Sequence, residues 1–147
     1  MLNIFKKVLV IAPHPDDETL GVGGTIKKFK DLNVNVNLLV VGGHLPPLYS
    51  QEEYIKTEKE CRSACKILGI KKIFFLKKVA TQFNEEPVAK FNKSIDDIIN
   101  IVNPDIIFIP FPDRHIDHKL VFEACMVCTR PKKNIKRCNF SCNFDFT

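Results

Sequence analysis

Val8-Leu9-Val10-Ile11-Ala12-Pro13-His14-Pro15-Asp16-Asp17-Glu18-Thr19-Leu20-Gly21 joins an apolar run of strand length to a histidine and three acidic residues. A short apolar run closed by such polar residues has the pattern of a buried strand emptying into a functional loop. Far downstream a second run, Ile106 to Pro110, opens into Asp113-Arg114-His115-Ile116-Asp117-His118. Two acid and imidazole clusters, each behind a strand, suggest one metal site assembled from both.

Further apolar runs at Val36 to Val41 and Ile73 to Leu76 alternate with segments of helical period near Leu20 to Lys30, Glu52 to Leu68, Val88 to Val102 and Lys119 to Cys128. Strand and helix alternation predicts right-handed βαβ units and an α/β fold with a mainly parallel sheet covered on both faces. Gly69 is expected to stop one helix and Asn103-Pro104 the next. In a doubly wound sheet of order 3-2-1-4-5, strands one and four are neighbours at the switch point, and ligands bind beyond their carboxyl ends. That order would set the two clusters facing each other. Asn134 to Phe140 could supply the fifth strand.

A chain of 147 residues with 45% hydrophobic content is enough for one domain with its own core. The formal charge of +5 comes from lysines dispersed in pairs such as Lys6-Lys7, Lys27-Lys28, Lys71-Lys72 and Lys77-Lys78. Without a block that interleaves basic and aromatic residues, nucleic acid is not an expected partner. Val8 to Ala12 is too short for a signal-peptide core, and no apolar segment reaches membrane-spanning length. A cytoplasmic location follows as the expectation, with the six cysteines largely reduced. Cys61 and Cys65, four apart on a helix, read as core. Cys125, Cys128, Cys138 and Cys142 offer a competing reading as a structural zinc knot.

His14 and Asp17 can reach one ion from a single loop, and an imidazole of the second cluster, best His118, completes the three protein ligands of a catalytic zinc site. Asp16 could then act as general base, and Asp117 could fix the tautomer of His115 or hold it protonated. Plainer readings compete: acidic residues behind a strand also complement a helix N-terminus, and the second cluster could be a solvated loop. Gly21, Gly23 and Gly24 raise a phosphate-binding loop, but the spacing lacks the third glycine of the dinucleotide fingerprint. They more simply let the helix approach the sheet.

Ala12 to Glu18 with Gly21-Val22-Gly23-Gly24, Glu60 to Gly69, and Asp113 to His118 with Val121-Phe122-Glu123-Ala124 together resemble the PIG-L/LmbE-like zinc-dependent de-N-acetylases. The resemblance runs from the first strand to about Pro131. It implies a Rossmann-like three-layer sandwich and removal of acetyl groups from N-acetylglucosamine units, with an N-acetylated amino-sugar conjugate as substrate and one Zn2+ per chain. By the same resemblance His14, Asp17 and His118 are the metal ligands and Asp16 is the general base. His115 is implied as the protonated imidazole that stabilises the oxyanion and assists departure of the amine, with Asp117 supporting the histidines.

Two departures follow from it. Many members carry an arginine one turn before the glutamate matched by Glu60. Here Lys56 and Thr57 stand in that region, and a compact ammonium does not replace a guanidinium fork, so Lys56 is only a guess for substrate contact. An acid often found after the third strand has no match in Lys77 to Asn84. Residues 1–131 are expected to form the domain core and residues 132–147 a divergent or truncated tail. The alternative function is then a weak or inactive metal-binding or interaction module of the same fold. Which glycoconjugate is bound, and the oligomeric state, are not legible.

Overall fold

The computed structural model describes residues 5–130 and 135–141. Its elements are β1 (Lys7–Ala12), α1 (Asp17–Asp31), β2 (Asn35–Gly43), α2 (Gln51–Leu68), β3 (Lys72–Val79), a 3-10 turn (Phe83–Glu85), α3 (Val88–Val102), β4 (Ile106–Pro110), α4 (Ile116–Cys128) and β5 (Lys136–Phe140). All strand pairs are parallel, in the order β3-β2-β1-β4-β5. The α/β fold expected from periodicity and the 3-2-1-4-5 order expected of a doubly wound sheet are therefore those observed, and Lys136–Phe140 is the fifth strand.

Burial on both faces explains why β1 has no polar alternation. Val8, Val10 and Ala12 pack with Ile26, Phe29, Cys61 and Cys65 from α1 and α2. Leu9 and Ile11 pack on the other face with Ile95, Ile99 and Val121 from α3 and α4. Successive strand side chains point to opposite faces, so a strand between two helical layers must be apolar throughout. The Asp105 carboxylate accepts from the backbone N–H groups of Lys6 and Lys7, both at 2.8 Å, and fixes the start of β1 against β4.

Helix ends follow local chemistry. Ser50 and Glu53 form a capping box at the start of α2, satisfying two otherwise orphaned amides. Gly69 closes the helix at φ 83° and Asn103 closes α3 at φ 46°, both in the left-handed region that C-terminal caps use. Two helices begin earlier than their apolar period suggests. α1 starts at Asp17 and α4 at Ile116, because their first turns carry buried polar residues rather than an apolar stripe. The glycines of α1 also differ from expectation. A Cβ on Gly23 would make ordinary contact with Leu68 of α2, and one on Gly24 would meet nothing within 4 Å, so at these two positions close approach to the sheet does not require glycine.

The tight glycine is at the end of β2. Its pairing with β3 shifts register between Val40 and Gly42, and the Gly42 N–H donates to the Pro13 carbonyl at 2.9 Å, just before His14. A Cβ on Gly42 would run into the Phe83 ring and the Lys78 carbonyl. Phe83 in turn lies beside His14, with ring centroids 6.2 Å apart. Replacing Gly42 with alanine is expected to destabilise the protein by about 1–3 kcal/mol, as overpacking does, with the urea midpoint as the measure. An unchanged midpoint would mean that Phe83 can yield freely.

Candidate metal centre

β1 and β4 are paired neighbours, so the loops leaving their carboxyl ends share one crevice. On the first, the His14 N–H donates to Asp17 Oδ2 at 2.9 Å, turning the chain back on itself before α1. Asp16 sits at the N-cap with φ 136° and ψ −29° and makes no side-chain capping bond. A non-glycine residue in that region stores strain on the order of 1–3 kcal/mol. On the second loop, His115 caps α4 by accepting the Asp117 N–H at Nδ1, and Asp113 accepts the His115 N–H at 2.7 Å.

The structure brings His14, Asp17 and His118 together. Asp17 Oδ2 lies 3.5 Å from His14 Nδ1 and 3.4 Å from His118 Nε2. Ligands held about 2.0–2.2 Å from a tetrahedral zinc lie roughly 3.3–3.6 Å from one another. The spacing therefore fits one ion held by three protein atoms with a fourth position left over.

The far nitrogens of both imidazoles are held by carboxylates. His14 Nε2 meets Asp117 Oδ2 at 2.8 Å, and His118 Nδ1 meets Asp113 Oδ2 at 2.7 Å. Such bonds set the tautomer and leave the near nitrogen as donor. Asp117 is fully buried; its Oδ2 also accepts the Thr81 N–H at 2.8 Å, while Oδ1 has no hydrogen-bond partner among the described residues. A second trio, His14, His115 and Asp117, also has donor atoms within 4.8 Å of one another. In that trio His14 and Asp117 already satisfy each other through a 2.8 Å hydrogen bond, so the first trio is the better cation site.

Electrostatics agree with that choice. Burial lowers the His14 pKa, but hydrogen bonds to Asp117 and Asp17 and their charges overcome it and raise the group to about 9. Burial likewise opposes ionisation of Asp17, yet hydrogen bonds from His118 and His14 hold it well below the usual carboxylate range. His118 is raised against its burial by Asp17 and Asp113. The cluster thus favours positive charge at its centre, the charge that a divalent cation brings.

His115 and Asp117 depart from their expected pairing. Asp117 Oδ2 is 4.0 Å from His115 Nδ1, and its short contact is with His14. Burial, then the charge of His14, lowers the His115 pKa. Because Nδ1 accepts a backbone N–H, the proton of the neutral ring sits on Nε2. The geometry thus leaves Nε2 as the hydrogen-bond donor of this ring.

Beside this centre lies a cavity of about 380 Å³ lined by Asp16, Glu18, His44, Thr57, Glu60 and Cys61, among others. Burial, then the Asp17 charge, raises the Asp16 pKa, against the pull of His14 and His44. Lys56 does not line the cavity; its ammonium stands 4.0 Å from Glu60 on the exposed side of α2. Thr57, Glu60 and His44 line it instead, and sequence reading gave them no role. Asp113 was legible as part of its cluster but not as the partner of His118, and Thr81 contributes only a backbone amide that no side-chain pattern announces. The zinc-knot reading gains nothing: Cys125, Cys128 and Cys138 form no donor group among the described residues, and Cys142 lies outside them.

The profile of the family described as GlcNAc-PI de-N-acetylase, PIG-L, matches residues 9–129. The chain is 34% identical to the diacetylchitobiose deacetylase of Thermococcus kodakarensis, over 80% of this chain and 46% of that protein. It is 33% identical to a probable N-acetyl-alpha-D-glucosaminyl L-malate deacetylase 2 of Bacillus cereus, over 87% of this chain and 64% of that one. It thus spans about half to two-thirds of the length of these relatives. The N,N'-diacetylchitobiose deacetylase of Pyrococcus horikoshii, solved with its inhibitor MPG, superposes with a TM-score of 0.74 at 32% identity, covering 84% of this chain and 49% of that one. By the extent of the profile match and by these identities, the chain belongs to the PIG-L/LmbE-type deacetylase family.

Proposed function

We propose that this protein is a zinc-dependent hydrolase that removes the acetyl group from an N-acetylglucosamine-type glycoconjugate. The observation that carries the proposal is the convergence of His14 Nδ1, Asp17 Oδ2 and His118 Nε2 beside Asp16. The donor set of two imidazoles and one carboxylate suits zinc. When bound, zinc acidifies water and polarises an amide carbonyl. The deacetylase relatives support amide hydrolysis as the reaction and an acetylated amino sugar as the substrate class. Free thiols among the described residues support a reducing compartment such as the cytoplasm.

Asp16 accepts the proton of the attacking water, a task helped by its raised pKa, and then passes that proton to the departing amine nitrogen. His115 Nε2–H donates to the carbonyl oxygen as negative charge develops there. Asp117 and Asp113 hold His14 and His118 in their tautomers. The cavity beside Asp16 receives the sugar, with Thr57 and Glu60 offering hydroxyl partners.

Asp16→Ala should keep zinc and lose about 10²- to 10⁴-fold in deacetylation rate, the usual contribution of a general base. Amine release from N-acetylglucosamine conjugates, with zinc content measured in parallel, checks this. Loss of zinc together with activity in Asp16→Ala would make Asp16 a ligand instead of the base, activity retained without zinc would overturn the zinc dependence, and no turnover by zinc-loaded wild type on several such substrates would favour a non-catalytic module. Asp113→Ala should weaken zinc binding by about 10- to 100-fold, as loss of a ligand-orienting carboxylate does; competition with a chelator measures it, and unchanged affinity would remove Asp113 from the site. In the metal-free protein His14 holds its proton up to about pH 9, and zinc must displace it. Zinc binding near pH 7 is therefore expected to release protons, and affinity should rise with pH until about 9. Calorimetry in buffers of different ionisation enthalpy measures that release, and a pH-independent affinity would contradict it.

A further inference from the structure

Glu18, Cys61 and Cys65 form a separate donor cluster on the other side of the α1 first turn. All three are buried, with Glu18 at 0% exposure, and their donor atoms lie within 4.8 Å of one another. Cys61 and Cys65 are one turn apart on α2 and face α1. None of the three has a part in the hydrolysis proposed above.

Glu18 is not explained by packing. A carboxyl at full burial is costly unless its oxygens are bonded and its charge compensated. Its oxygens accept from the Thr19 hydroxyl at 2.8 Å and the Asp16 N–H at 3.1 Å. Both partners are neutral, and among the described residues no lysine, arginine or histidine forms an ion pair with Glu18. Two thiols complete its surroundings, and thiolates are the soft donors that select zinc and its heavier congeners. The cavity beside Asp16 is lined by both Glu18 and Cys61, so solvent and ions have a path to the cluster.

We propose that Glu18, Cys61 and Cys65 form a second metal site, one that takes a thiophilic divalent cation such as Zn2+ or Cd2+ through two thiolates and one carboxylate oxygen. Binding releases the two thiol protons to solvent, and the cation compensates most of the resulting negative charge. The fourth position opens to the cavity, where water or a small anion completes the coordination.

Cadmium alone is the probe, titrated into the full chain and followed by the ultraviolet thiolate-to-cadmium charge-transfer band, with bound metal counted by dialysis. Wild type is expected to develop the band. His118→Ala, which lacks a donor of the first centre, keeps the band, and so does Cys125→Ala/Cys128→Ala. Cys61→Ala/Cys65→Ala loses the band and one bound equivalent, while each single replacement weakens the band by about half. Absence of the band in wild type, or its survival in Cys61→Ala/Cys65→Ala, overturns the site. Loss of the band in Cys125→Ala/Cys128→Ala would assign the thiolates elsewhere and overturn it equally. The readout needs no turnover, so its failure is distinct from a failure of the proposed hydrolysis.

Discussion

The Asp117 carboxylate is the point on which the site depends. Buried at 0% exposure, it takes the His14 imidazole from the β1 loop and the Thr81 amide from the segment after β3, while its own backbone N–H is received by His115. Three segments distant in sequence are thereby fixed around one oxygen. A buried charge that loses a partner costs several kcal/mol, so none of these segments can drift independently. β1–β4 pairing brings the loops near each other, and by holding Nε2, Asp117 leaves His14 Nδ1 to face Asp17.

The acidic residues behind β1 separate by role once their partners are known. Helix capping would account for an acid at the start of α1, but Asp16 at the N-cap makes no capping bond. It also occupies a backbone conformation that L residues seldom adopt. Observed strain at a residue beside a cavity is a pointer to function. Asp17, one position on, turns inward to His14 and His118. At the second helix the capping role is filled, but by His115 rather than an acid.

What the sequence made legible was what depends on period. Four apolar runs separated by helical patterns marked β1 to β4, most plainly β1, β2 and β4, because a strand buried on both faces cannot hide its composition. Their order came from the doubly wound pattern and not from the runs themselves. The two clusters were legible because each follows such a strand. Less legible was whatever depends on direction. Asp113 and Asp117 are both near His115 in sequence, yet one meets His118 and the other His14, since the helical start at Ile116 rotates them apart. Lys56 stood at a plausible position on α2, but its side chain leaves the cavity to Thr57 and Glu60 one residue and one turn on. Thr81 and Gly42 act through backbone and space, which composition does not record.

The first turn of α1 also explains how two donor sets can lie side by side without merging. Consecutive helical residues are rotated by about 100°, so Asp17 faces the histidines while Glu18 faces α2. The sets differ in chemical character as well as direction: imidazole and carboxylate on one side, thiols and carboxylate on the other. A cation of borderline softness can enter either, whereas a softer one is drawn toward Cys61 and Cys65. Glu18 Oε2 meanwhile holds the Asp16 N–H, so whatever changes the company of Glu18 is felt at the residue given the task of moving the proton. Selectivity between the two positions therefore rests on the sulfur pair, and their coupling on a single hydrogen bond.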